Sequence, residues 1–276
     1  MDEAKLHKLQ QAVKWTVYTL LIVNFLFYFL EDLERVRHVL HEGSTFLDWT
    51  SEFTTSIDES AWFILLFMFE LETYVLEDKD WKGWVAHVIR GARLACYVML
   101  AHTIFAYSNT VIDLMATQPV ENASSLCDLV DDGVSYVHNL EYTEVNEQTC
   151  ADLSTANQFF WVADDPVVTD LDSLNLERDL AWVDLAEAAI WLLILLAIEI
   201  IVRMQSRGVT GSTLVTSLNR IKLGLYSTLI AISIYWAWLG HWLYLWDELL
   251  WIGGFAAIEM NVSEWREELI EQGETT

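Results

Sequence analysis

Residues 181–202 read AWVDLAEAAIWLLILLAIEIIV. A helix of about 20 apolar residues crosses a bilayer core, and this stretch has that length. It places Glu199 deep in the apolar run that follows Asp184 and Glu187. A charged side chain there costs about 2.5–3.5 kcal/mol on insertion scales, so its position needs a reason.

Outward from that stretch, similar runs lie at Trp15–Leu30, Ala61–Leu76, Leu94–Met115, Leu223–Leu245 and Leu249–Val262. The reading is an all-α integral membrane protein with six transmembrane helices. A soluble helical bundle would show polar faces that these runs lack. The first run is followed by Glu31, Asp32 and Glu34 rather than by a small-residue cleavage site, so no cleavable signal peptide is expected.

Of the 15 Lys and Arg residues in 276, only Arg35, Arg37 and Arg178 fall on one side of the expected membrane. The others flank the opposite ends of the runs. The positive-inside rule then puts both termini in the cytoplasm of a multi-pass plasma (cytoplasmic) membrane protein, with residues 116–180 as a large extracytoplasmic loop. Segments 1–115 and 181–276 complete a single membrane domain. Nearly all of the net charge of −26 belongs to the extracytoplasmic face. That sign excludes nucleic-acid binding, and the 54% hydrophobic content excludes disorder.

The helices also resemble one another. Trp-x7-Glu occurs as Trp62/Glu70, Trp191/Glu199 and Trp251/Glu259. A base followed four residues later by Tyr opens three others, at Lys14/Tyr18, Arg93/Tyr97 and Lys222/Tyr226. The patterns alternate, and the spacing from Glu70 to Arg93 equals that from Glu199 to Lys222. Asp58-Glu59-x-x-Trp62 has a further echo in Asp247-Glu248-x-x-Trp251. Three pseudo-repeated helical hairpins are expected, with each Trp at the outer end of its helix, and Trp251 and Trp265 bracket the short last run as interfacial anchors would.

Glu70, Glu199 and Glu259 are then the candidate ion pathway or gate, in a protein that moves cations or protons from an acidic outer vestibule. Tyr18, Tyr97 and Tyr226, with Lys14, Arg93 and Lys222 below them, are placed to support those carboxylates. His102 is a candidate proton relay, and Asn24 a candidate interhelical hydrogen-bond donor. The competing expectation is a non-catalytic membrane scaffold, a homo-oligomer or a subunit of a larger complex, in which the Glu–Tyr contacts are structural. Gly253-Gly254 allows close backbone approach.

Cys127 and Cys150 lie in the expected outer loop, where a disulfide persists, while Cys96 is an apolar packer. Phe159-Phe160-Trp161 is expected to pack the loop onto a surface. Asp164-Asp165 and Asp170-x-Asp172 could meet a divalent cation but lack the rest of a calcium loop, and the metal stays unknown. Asn122-Ala-Ser124 is a glycosylation sequon. Phosphate-loop, dinucleotide, zinc-protease and serine-elbow motifs are absent, so neither an enzyme nor a cofactor is expected. The lipid bilayer and a cation or proton are the expected partners.

Overall fold

The computed structural model describes residues 3–74, 83–121, 123–163, 165–205 and 213–255. The long helices are α1 (Glu3–Val39), α3 (Thr54–Tyr74), α4 (Trp84–Met115), α6 (Leu171–Gln205) and α7 (Thr213–Trp238), and residues 242–255 are helical as well. Short helices α2 (Phe46–Glu52) and α5 (Cys150–Leu153) and a 3-10 turn at Leu126–Asp132 complete the helical part. Among the described residues, Gln11–Val39, Trp84–Met115 and Thr213–Trp238 are long and apolar enough to cross a membrane.

The helices stop where local chemistry stops them. Neither Gly nor Pro interrupts α1, which runs until the chain approaches Gly43. A reciprocal capping box opens α2: Asp48 N–H donates to Thr45 Oγ1 at 3.4 Å, and Thr45 N–H to Asp48 Oδ2 at 2.6 Å. After α7 the chain turns at Gly240, whose φ of 100° suits glycine alone.

The all-helical expectation is corrected by a five-stranded sheet within residues 118–170. Its order is β1 (Gln118–Pro119), β4 (Phe159–Trp161), β5 (Val167–Asp170), β2 (Ser135–His138) and β3 (Glu141–Glu144). β2 and β5 run parallel; the other pairs are antiparallel. Pro119 sits on the edge strand, where a missing N–H costs no ladder bond. The β2–β3 hairpin turns through Asn139 and Leu140, both at positive φ (54° and 61°), as a two-residue primed turn requires.

Under this sheet Phe159, Leu126, Val134, Tyr136, Val145 and Val168 form one buried cluster, with Cys150 among them. Cys127 and Cys150 are bridged, their Cα atoms 4.9 Å apart. Of the expected aromatic run, Phe159 fills this core, while Phe160 packs on Val111, Leu114, Leu174 and Ala181 of α4 and α6. The run therefore joins the strand domain to helix ends.

The chain divides into two compact units. One comprises residues 28–66 and 86–192, and includes the sheet; the other comprises residues 1–27, 67–85 and 193–276. In the latter, the Asn24 amide donates to Asp247 Oδ1, and both residues are buried. This is the bond expected of Asn24. Gly254 faces α1 closely, since a Cβ added there would stand 3.7 Å from Val17 Cγ1.

Candidate functional site

The repeat-derived residues divide between the two units. Glu199 is half-buried and meets Arg203 one turn on, Nη2 to Oε2 at 3.4 Å. Lys14 Nζ stands 5.9 Å from the centre of the Tyr18 ring, the contact that an i, i+4 spacing allows. Tyr226 and Lys222 lie on α7 in the same unit. Tyr97, Arg93 and His102 belong to the other unit. The backbone of Glu70 lies in the last two turns of α3, but its side chain lies outside the described residues, as do Glu259, Asn122 and Asp164.

The expectation of Trp251 as an interfacial anchor is corrected, and Trp265 lies outside the described residues. Trp62, Trp191 and Trp251 are 5%, 8% and 4% exposed. The Trp62 and Trp191 rings meet at 5.6 Å, and the Trp62 indole N–H donates to Asp58 Oδ2 at 3.0 Å. A buried indole needs such a partner. Each of the three has an acid four residues before it: Asp58, Glu187 and Asp247. Sequence reasoning noted Asp58 and Asp247 before Trp62 and Trp251, but neither extended the pattern to Glu187 before Trp191 nor read these acids as indole partners.

A denser polar group lies in the unit of residues 28–66 and 86–192. Asp32, on α1, is 1% exposed. Its Oδ2 accepts the Ser56 N–H at 3.0 Å and the Ser56 hydroxyl at 2.6 Å, and its Oδ1 accepts Arg35. The Arg35 Nε stands 3.7 Å from Glu52. Burial pushes the Glu52 carboxyl up, while Arg35 draws it down. Asp58 shares hydrogen bonds with Trp62 and Thr103, and Glu59 beside it is 5% exposed. Tyr107 bonds Thr55 within electrostatic reach of Asp58, Asp184 and Arg35. Thus α1, α2, α3 and α6 bring carboxylates together, with Tyr107 of α4 among them, and Arg35 pairs with Asp32 and Glu52. Sequence reasoning missed this group because each acid looked like part of a solvated loop.

His102 faces Thr50, Nε2 to Oγ1 at 2.9 Å; its Nδ1 is buried and has no hydrogen-bond partner among the described residues.

The strand domain is stitched to the helices by polar pairs. His38 at the end of α1 meets the Ser135 hydroxyl at 2.8 Å and stacks on Tyr142. His138 meets the Ser173 hydroxyl at 2.8 Å, Ser173 meets Tyr136 at 3.0 Å, and Tyr136 donates to Asp170 at 2.6 Å. Tyr136 gives its proton to the carboxylate, and the single Ser173 hydroxyl proton is shared between the Tyr136 oxygen and Asp170 as acceptors. Burial opposes ionisation of Asp170, but the Ser173 N–H and the Tyr136 and Ser173 hydroxyls outweigh it and hold the carboxyl below its usual range. Tyr136 is pushed up to about 12 by burial and by Asp170. Asp170, expected as a candidate cation ligand, is thereby engaged at the start of α6. Among the described residues, no group of three or more His, Cys, Asp or Glu could hold a metal ion.

No protein-family model, curated protein or solved structure matches this chain.

Proposed function

We propose that this chain is a multi-pass membrane protein that passes cations, protons included. Six spans arranged as three hairpins would hold both termini in the cytoplasm. Helices α3, α6 and residues 242–255 would supply the spans beyond the three most apolar helices. The 21 residues of α3 rise about 31 Å as helix, enough for a hydrocarbon core of about 30 Å.

The observation that carries this reading is a group of acids withdrawn from water. Asp32, Glu52, Asp58 and Glu59 are buried or half-buried, and Arg35 pairs with Asp32 and Glu52. Carboxylates withdrawn from water favour taking up a proton or a cation. On the proposed topology this group lies at the outer mouth, below an acidic extracytoplasmic domain that concentrates cations by its field. Glu70, Glu199 and Glu259 would then serve as the inner station.

The test is ion flux in proteoliposomes. The wild type should dissipate an imposed proton or monovalent-cation gradient, and the variant with Glu70, Glu199 and Glu259 all changed to Gln should not. A wild type that carries neither, or a triple variant as fast as the wild type, overturns the reading.

One observation favours a second reading, a non-catalytic scaffold or assembly subunit. Several polar contacts are closed within the chain: Asn24 on Asp247, Arg203 on Glu199, Ser56 and Arg35 on Asp32. Under that reading the triple Gln variant loses thermal stability or partner binding, with no flux in any form of the protein.

A further inference from the structure

The connection between α1 and α3 contains a helix that the apolar runs did not reveal, and its polarity is unusual. No residue of α2 is buried. Phe46 is 82% exposed, and Leu47 and Trp49 are close to half exposed. The polar residues Thr50 and Glu52 are instead the ones that reach protein, at His102 and Arg35. In water a short surface helix does the reverse, turning its apolar residues to the protein.

The depth of α2 is set by an aromatic ladder. The Trp49 and Phe53 rings stack with centres 6.5 Å apart, and Phe53 lies 6.0 Å from Phe29. Phe29 belongs to the last apolar turn of α1 before Glu31 and Asp32, within the candidate span Gln11–Val39. Phe29 and Leu30 are themselves exposed. The apolar surface of α1 therefore continues through Phe29 and Phe53 onto α2 at the level where a span leaves the hydrocarbon.

We propose that α2 is an interfacial anchor whose partner is the lipid bilayer where α1 leaves it beside Phe29 and Leu30, with Phe46, Leu47 and Trp49 seated at the boundary between acyl chains and headgroups. Trp and Phe favour that zone, and the exposed Thr45–Asp48 capping box suits the headgroup level. Residues 40–59 contain neither Lys nor Arg. The anchor is thus apolar and aromatic, and owes nothing to attraction by anionic lipid.

The experiment uses the full chain in vesicles. A nitroxide is attached at Phe46→Cys in a Cys96→Ala background, with Glu141→Cys on edge strand β3 as the control. At position 46, collisions with oxygen should exceed those with a water-soluble nickel chelate several-fold more than at position 141. The ratio should be the same in purely zwitterionic vesicles and in vesicles containing anionic lipid. Nickel access at position 46 equal to that at 141 overturns the proposal. So does low access to both reagents with spin–spin broadening, which would identify a second copy as the occupant. A ratio that rises only with anionic lipid also overturns it. If Phe46→Cys fails to keep its disulfide and helical signature, Leu47→Cys replaces it with the same expectations.

Discussion

The carboxylate of Glu177, on α6, accepts the backbone N–H of Leu140 at 3.1 Å and also that of Asn139. Those are the two left-handed residues of the β2–β3 turn. A left-handed conformation at a residue with a β-carbon costs roughly 1–2 kcal/mol, and one buried carboxylate from a helix holds both in place.

That carboxylate makes stability pH-dependent. Burial pushes the Glu177 carboxyl up to about 7, against the opposing pull of the two N–H groups. The charged form is therefore penalised in the folded state once pH exceeds the ordinary carboxylate range. Folding gains as pH falls from 8 through 7 toward 5, by about 3 kcal/mol at most. Glu177→Gln keeps an acceptor oxygen and loses the titration. The expected outcome is a wild-type melting temperature that rises more between pH 8 and pH 5 than that of the variant. Equal slopes would refute the assignment.

The disulfide is the second lever. Cys127 and Cys150 are 23 residues apart in sequence, and closing a loop of that size stabilises by about 3 kcal/mol in the chain-entropy account. Changing both cysteines to Ser should make residues 116–170 the first part of the chain cut by protease, at concentrations that leave the wild type intact. An unchanged digestion pattern would show that the buried cluster around Phe159 suffices by itself.

Trp62 and Trp238 should separate burial from mere location near a helix end. Trp62 is 5% exposed and Trp238 is 80% exposed. Trp62→Ala should cost about 3–5 kcal/mol, as large-to-small changes in packed interiors do, and Trp238→Ala far less. Comparable losses in thermal melts of the two variants would contradict the packing described.

Arg35 is the counter-charge of Asp32 and Glu52. Removing it in Arg35→Gln leaves Asp32 buried without its ion pair, a change that costs about 3–5 kcal/mol in comparable settings. Asp32→Asn added to that variant should restore part of the loss. Additive losses in the double variant would show that the two side chains stabilise independently.

What could be read from the sequence was local. Apolar runs, the Asn24 hydrogen bond and the cysteine pair each follow from residue type and expected compartment. The sheet was not legible because its strands are two to four residues long and its central pair, β2 with β5, is parallel and joined by a distant crossover. The burial of Trp62, Trp191 and Trp251 was hidden because tryptophan at a helix end suits both an interface and an interior. The acid four residues earlier was the available signal, since a buried indole must give its proton to something. The carboxylates around Arg35 come from four helices, and only their packing assembles them.

Strand β5 ends at Asp170 and α6 begins at Leu171, with no loop between them. Asp170 belongs to both elements: its backbone pairs with Phe159 in the sheet, and its carboxylate takes the Ser173 N–H in the first turn of the helix. Such a joint has no slack. A pull on the strand domain must be carried along the axis of α6 as tension before hydrogen bonds give way, so the domain and that helix act as a handle and its shaft.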